Sequence, residues 1–343
     1  MALLLLSLSL LLAGLCQAMP TSQDNAIAAR QDPTVEIIYQ FPPTMAPENT
    51  ILRRNGQMLV TCLTCNVLSQ VDPELGPDQE RRTVFTFPDA VIDVLGIDEL
   101  SPDVFAVAVG QVDISDPLNI TSNLIRGPTG TWIVDLRDYQ APAYDSSLVR
   151  AHRVGGTTLG GLFDGVAVIN HEKGLVAATD FVEGNIWLVD IPNNHTTVLV
   201  NSLLLSASGG SLSSTLLANG LKYRDSKLYF TGTVTGTYGY VPVDPNTGRA
   251  TGPIKVIYNY GFALDDFNFG STGNVYFTTF ADPDGGVIRR SAGTPDGQYG
   301  SEKVLSYFAT NSIVPRNKDG NCELLMTVFL QFQVVRATIP GPC

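Results

Sequence analysis

Asn219-Gly220-Leu221-Lys222-Tyr223-Arg224 runs into the strand-like Lys227-Leu228-Tyr229-Phe230-Thr231. The same layout recurs along the chain: polar residues in or before a turn, then a short apolar run. Glu48-Asn49 precedes Gln57-Met58-Leu59-Val60-Thr61, and Gly96-Ile97-Asp98 precedes Val104-Phe105-Ala106-Val107-Ala108. Asp164-Gly165 precedes Gly174-Leu175-Val176-Ala177-Ala178, and Asp265-Asp266 precedes Asn274-Val275-Tyr276-Phe277-Thr278. A looser sixth copy joins Asn311-Ser312 to Glu323-Leu324-Leu325-Met326-Thr327. Successive anchors stand roughly 46 to 66 residues apart, the spacing of four-stranded propeller blades. The expected fold is all-β: one six-bladed β-propeller over residues 34–343. In such a ring the same loop of every blade meets around one channel, so residues distant in sequence share a pocket.

Closure has its own signature. Thr34 to Phe41 reads as a strand with no blade of its own, while the last unit is short of outer strands. Pairing the first strand onto the last blade would close the ring and hide two sheet edges. Loops at Asp113–Asn123 and Leu203–Ser214 are long and are expected on the rim, as candidate walls of the pocket.

Residues Leu3 to Leu12 are apolar, too short to span a bilayer, and end in Cys16-Gln17-Ala18. Residues 1–18 therefore read as a secretion signal and residues 19–33 as a flexible leader. Sequons at Asn119 and Asn194 agree with a secreted or secretory-pathway protein. Removing the signal leaves Cys62, Cys65, Cys322 and Cys343, an even set that favours disulfides over a zinc site. Three connectivities are open; in a closed ring Cys322 could reach Cys62 or Cys65. The net charge of −12 carries no Lys/Arg cluster beyond a pair, which argues against nucleic acid or an anionic membrane as partner, and no stable membrane insertion is expected of so short an apolar run. A Gly-x-Ser-x-Gly elbow and a P-loop are absent, and His152, His171 and His195 fall in polar loop or edge contexts.

The anchors carry the chemistry. Glu48, Asp98, Asp164, Asn219 and Asp265 occupy related positions in five units. Converging carboxylate and amide oxygens suit a hard cation such as calcium or magnesium, or acid–base work on an organic ligand. Any one Asp or Asn in a turn is explained by backbone capping; the set, with its Glu, is not.

The blade pattern and anchors resemble SMP-30/gluconolactonase-like six-bladed propellers, from about Glu48 to Ile339. That resemblance implies one divalent metal held by a Glu at the first anchor, an Asn in Asn-Gly-Leu and a later Asp: here Glu48, Asn219 and Asp265. Phe163 stands where that family usually has an Asn before Asp-Gly, which puts a hydrolytic substrate site in doubt. A nearer resemblance is to the fungal hetero-Diels–Alderase-like branch, through Glu48-Asn49 followed by Arg53-Arg54-Asn55-Gly56, Gly96 to Leu100, Asn219 to Thr231 and Leu264 to Phe269.

The branch implies an intermolecular hetero-Diels–Alder cycloaddition in meroterpenoid biosynthesis, between a quinone methide and a terpene polyene such as humulene. No cofactor is required for that reaction. Glu48, Asp98, Asp164 and Asp265 would assist as acids or bases. Phe163, Asn219, Tyr229, Phe262, Asp266, Phe267 and Phe329 would form the pocket for two small apolar partners. A pericyclic reaction asks mainly for near-attack geometry and exclusion of water. A metal-dependent lactonase or esterase is the runner-up, and a non-catalytic ligand-binding propeller the third reading.

Overall fold

The structure, a computed structural model, describes residues 33–111, 129–156, 161–201, 218–233, 236–279, 285–290, 300–307 and 310–343. Among the described residues it is all-β apart from a three-residue 3-10 turn, Ser146–Leu148. A lone strand, β1 (Val35–Gln40), comes first. β2 (Pro47–Leu52), β3 (Met58–Cys62), β4 (Val67–Val71) and β5 (Arg82–Thr86) follow, then β6 (Asp93–Ser101), β7 (Val104–Gly110), β8 (Gly130–Asp135) and β9 (Arg150–Val154). Next are β10 (Phe163–Asn170), β11 (Leu175–Asp180), β12 (Ile186–Asp190) and β13 (His195–Val200). β14 (Ala218–Arg224), β15 (Lys227–Gly232), β16 (Thr237–Pro242) and β17 (Lys255–Asn259) repeat the pattern. β18 (Phe267–Phe269), β19 (Val275–Thr279), β20 (Gly286–Arg290) and β21 (Ser301–Leu305) precede β22 (Thr310–Lys318), β23 (Asn321–Val328) and β24 (Gln333–Ile339).

Local chemistry makes these meanders. β7 is an apolar run buried at every residue, whereas β17 is exposed throughout, as befits second and outermost strands of a blade. Asp225 and Ser226 both take positive φ, the left-handed turn that matches the twist of a two-residue hairpin between β14 and β15.

Hydrogen bonding gives five sheets rather than six separate ones. β10–β13, β14–β17 and β18–β21 each form a four-stranded sheet, and β22–β24 form a fourth with β1. The remaining eight strands, β2–β9, form one sheet. Its halves, β2–β5 and β6–β9, join through the single pair Cys62↔Val94. The expected six-sheet count is corrected accordingly. β1 does lie antiparallel on β24, with Val35 opposite Ala337 and Gln40 opposite Gln333.

The core lies in layers between successive units. Leu95 and Ala106 pack with Phe163 and Val176, while Ala167 and Ala177 pack with Leu221 and Phe230. Ile38 and Leu325 share a cluster with Met58 and Val60, so the two ends of the chain meet apolar surface of one another. The first strand of each group touches the next: β2 with β6, β6 with β10, β10 with β14, β14 with β18, β18 with β22, and β22 with β2. The arrangement is propeller-like.

The disulfides are Cys62–Cys65 and Cys322–Cys343, which corrects the expectation that Cys322 reaches the first unit. Register explains it: Cys322 sits opposite Ile339, so the chain leaving β24 returns Cys343 to it. Two disulfides fit an oxidising compartment. Among the described residues no helix is long and apolar enough to cross a membrane. The signal, nearly all of the leader, the Asn119 sequon and the loops at 113–123 and 203–214 lie outside the described residues. Asn194 lies on the exposed turn between β12 and β13.

Candidate functional site

Small residues let the innermost strands crowd together. A Cβ on Gly96 would sit 2.0 Å from the Asp164 carbonyl oxygen, and one on Gly165 would sit 2.4 Å from that of Asn219. A Cβ on Gly220 would come 2.7 Å from Asp266 Oδ1. The glycine after each of these anchor positions is thus required by close approach of the next unit.

Threonines then clasp the anchors. Thr179 Oγ1 donates to the Asn219 carbonyl at 2.6 Å, and Thr231 Oγ1 to that of Asp265 at 2.5 Å. Thr278 Oγ1 donates to the Asn311 carbonyl and Thr327 Oγ1 to that of Glu48. In each case the second strand of one unit holds the anchor of the next, and the last of them binds the first unit. Repeated polar groups on a repeated backbone therefore bring the anchor side chains together.

The result is a buried cluster of carboxyl groups. Asn311 Nδ2 donates to Glu48 Oε2 at 2.7 Å, and Asn219 hydrogen-bonds the Asp265 carboxyl while its Nδ2 lies 3.1 Å from Thr233 Oγ1. Asp266 accepts from Lys222 Nζ at 2.7 Å and from Ser312 Oγ at 2.9 Å. Asp164 Oδ1 is buried and has no hydrogen-bond partner among the described residues.

Electrostatics follow from that crowding. Burial, then the neighbouring Asp164, pushes the Glu48 carboxyl well above the usual range, against the Asn311 hydrogen bond. Burial raises Asp265 in the same way, with Glu48, Asp164 and Asp266 adding to it and Asn219 opposing. Asp164 is pushed up to about 7 by burial and then by Asp266, with Lys222 opposing. Asp164 acts on Glu48 and Asp265, and Asp266 acts on all three, which unites the four carboxyls in one site.

Asp98 stands apart. Leu95-Gly96 occupies the register that Asp164-Gly165 and Asn219-Gly220 hold in their strands, which puts Asp98 three residues further along β6. Its carboxylate accepts from the Val168 N–H at 2.7 Å and the Glu99 N–H at 2.9 Å. Burial raises its pKa, while those N–H groups and Lys222 oppose the shift. It braces β6 against β10.

The expected aromatic wall is also corrected. Phe163 is wholly buried, with its ring 6.1 Å from Trp187, because alternation along β10 turns it away from the face of Asp164. Phe267 and Phe329 belong to buried clusters, and Tyr229 and Phe262 pack against the cluster of Phe267. Core packing claims Phe163, Phe267 and Phe329; Tyr229 and Phe262 are partly buried at the edge of a cluster, and Tyr229 faces a recess away from the carboxyl groups. Arg53, from the motif that carries the nearer resemblance, is likewise scaffold: it is buried, with Nη1 2.8 Å from Gln70 Oε1 and Nε 2.9 Å from Asp103 Oδ1.

Sequence reading missed Lys222, Asn311 and Ser312 as site residues. Asn311 was signalled by its place as the polar residue of the sixth anchor. Lys222 gave no signal beyond sitting three residues after Asn219 on a strand whose axial face was not yet known.

The oxygen-only donor set of Glu48, Asn219 and Asp265, with the unpartnered Asp164 Oδ1 beside it, is of the type that calcium and magnesium take. Among the described residues no three His, Cys, Asp or Glu side chains are grouped as a ready coordination shell, so a cation would have to draw in the Asn oxygen.

No known family profile matches the chain, and no curated protein matches it. Solved structures do. A calcium-binding protein, regucalcin, from Agrobacterium tumefaciens aligns at TM-score 0.55 and 12% identity, over 89% of this chain and 97% of that one. A luciferin-regenerating enzyme aligns at TM-score 0.58 and 13% identity, over 90% and 98%. A protein carrying a proposed gluconolactonase assignment aligns at TM-score 0.54 and 11% identity, over 92% and 96%. The chain has the propeller fold. At these identities the likeness speaks to fold alone.

Proposed function

We propose that the chain is a single six-bladed ring closed by β1, whose axial mouth hydrolyses a lactone or ester bond in a small organic substrate. The observation that carries this reading is Asp164: a buried carboxyl near pKa 7 with one oxygen unpartnered, among Glu48, Asp265 and Asp266. The eight-stranded sheet counts as two blades because one residue pair joins its halves. The cyclic contacts of the innermost strands support closure.

Asp164 is poised to exchange a proton near neutral pH. In its ionised form it takes a proton from an attacking water as the water oxygen bonds to the acyl carbon. The ring C–O bond then breaks, and the proton passes from Asp164 to the departing alkoxide. Lys222, paired with Asp266, keeps a positive charge beside the cluster and favours negative charge developing on the acyl oxygen. Glu48, Asn219 and Asp265 would hold a calcium- or magnesium-class cation, which when bound supplies Lewis-acid polarisation of the carbonyl. Lactonase- and regucalcin-like neighbours agree with this reading at the level of fold.

The cycloaddition is the second reading. What favours it is the raised pKa of Glu48 and Asp265, since protonated carboxyls would expel hydroxide from a precursor alcohol and hydrogen-bond an enone oxygen. The loss of the aromatic wall to the core weakens it. One experiment separates the readings. Purified protein is offered simple lactones, with EDTA or with calcium or magnesium, and separately a quinone-methide precursor with humulene. Lactone hydrolysis that falls at least a hundredfold in Asp164→Asn supports the first reading. Hydrolysis no faster than the blank, with or without cation, rejects it; an enantiomerically enriched adduct formed only with protein then selects the second.

A further inference from the structure

A separate recess of about 420 Å³ lies between the sheets β14–β17 and β18–β21. Asn219 begins near the start of β14 and Arg224 ends it, so at about 3.3 Å per residue the recess is on the order of 16 Å from the carboxyl cluster. Its lining is aromatic. Tyr229 faces Tyr240 across the β15–β16 ladder and Tyr238 lies two residues along, which sets all three rings on one side of the sheet. The Tyr229 and Tyr238 rings stack at 6.0 Å with 18° between their planes, and Phe269 meets Tyr229 edge-on at 5.2 Å.

Positive charge rims these rings. The Arg224 guanidinium lies 5.1 Å from the centre of the Phe269 ring, and that of Arg290 lies 5.3 Å from Tyr258. The ammonium groups of Lys227 and Lys255 stand 5.2 and 6.0 Å from the Tyr240 ring. Asp225, the acid in the lining, is 77% exposed and 3.5 Å from Arg224, a solvent-screened pair that holds the guanidinium weakly. Within the lining two cations, Arg224 and Arg290, stand against one acid, Asp225, in a chain whose net charge is −12, and Lys227 and Lys255 lie just beyond it.

Such a surface selects a particular chemistry. Stacked rings accept a flat π face, and a guanidinium fork accepts a carboxylate in two parallel hydrogen bonds. The volume is that of pockets that hold ordinary small ligands. We propose that this recess binds small aromatic carboxylates of one to three rings, independently of the reaction at the axial mouth. The ring would lie against Tyr229, Tyr240 and Phe269, with its carboxylate toward the half-exposed Arg224.

Calorimetric titration of the full chain with 2-naphthoate tests it. Two controls are 2-naphthylmethanol, which keeps the rings without the charge, and cyclohexanecarboxylate, which keeps the charge without the π face. The expected result is one bound 2-naphthoate per chain, with both controls at least tenfold weaker. Tyrosine emission should be quenched in parallel. Arg224→Gln, at a half-exposed side chain, should weaken binding about fivefold to tenfold, as loss of one charge-assisted contact does. Arg224→Lys should fall between the two. Glu48→Gln should bind as the wild type does. No heat at millimolar probe overturns the proposal, as does equal binding of the alcohol. Binding lost in Glu48→Gln yet kept in Arg224→Gln overturns it too, by moving the ligand to the axial mouth, and it leaves the hydrolase reading untouched.

Discussion

Replacing Asp164 by Asn should stabilise the protein at neutral pH and flatten its pH dependence. Burial and then Asp266 push the Asp164 carboxyl to about 7 in the fold, whereas an unfolded chain gives about 3.9. The folded state therefore holds the proton more tightly. Below about pH 4 both states are protonated and the carboxyl costs nothing; as pH climbs towards 7 the unfolded state ionises first and the fold loses stability. A shift of about three units is worth on the order of 4 kcal/mol above pH 7, of which roughly 2 to 3 kcal/mol develops between pH 5 and 7.5. Asparagine keeps the shape and removes the titration, at a cost of about 1 kcal/mol for an amide hydrogen left unpaired. It also relieves Glu48 and Asp265, both of which Asp164 pushes upward, so their contribution has the same sign.

Urea denaturation in EDTA at pH 5 and 7.5 measures this directly. Comparing variant with wild type cancels other ion-paired carboxylates, such as the exposed Glu74 and the half-buried Asp135. Hydrogen bonds to Lys318 and Arg137 respectively lower their pKa values, so they favour the fold as pH rises. The gap between variant and wild type should widen by about 2 to 3 kcal/mol from pH 5 to 7.5. A constant gap across that interval would refute the assignment of a strained, proton-binding carboxyl to Asp164.

Three further outcomes test the scaffold. Gly165→Ala should cost about 3 kcal/mol in denaturant unfolding, because its Cβ meets the Asn219 carbonyl at 2.4 Å and backbone must move; a neutral effect would contradict the close approach. Thr327→Val should cost about 2 kcal/mol, since the Glu48 carbonyl and the Ser312 N–H lose their shared partner. An unchanged midpoint would show that this clasp does not hold the first unit to the last. Arg53→Ala should cost about 2 to 3 kcal/mol by taking the charged donor from Gln70 and from the partly exposed Asp103, which keeps Gln140, and Arg53→Lys should recover only part of it because the fork is gone; full recovery by Lys would contradict the role of the planar head.

Much of the architecture was legible because it repeats. Lys227 to Thr231 and Asn274 to Thr278 announce second strands by composition alone, and Asn219-Gly220 and Asp265-Asp266 announce the strands before them. The N-terminal strand was legible by elimination, having no partner in its own neighbourhood. The aromatic residues were misread for a reason internal to strands. Phe163 is adjacent to Asp164 in sequence but opposite to it in direction, so proximity to an anchor counts against a place in the channel. Asp98 failed through register, since matching Gly96 to Gly165 and Gly220 moves the anchor position to Leu95. The disulfides followed local return of the chain, which cysteine spacing does not encode. The tyrosine-lined recess depends on which faces of β15, β16 and β18 meet, and a single strand pattern carries no such information.

Scaffold and site divide the labour in a way that bears on function. Glycines admit the crowded strands and threonine hydroxyls bind the anchor carbonyls, so the anchor backbones are held by groups that do not involve their side chains. A ring built only for stability could therefore carry small neutral side chains at Glu48, Asp164 and Asp265. Instead three carboxyls are buried together, each raised in pKa by burial and by at least one neighbouring carboxylate, and one oxygen is left unpartnered. Arg53 and Asp103 show what this chain does with a buried charge that serves structure: it pairs it. An arrangement that costs stability at neutral pH, and that the fold does not require, points to proton transfer or ligand capture at the mouth.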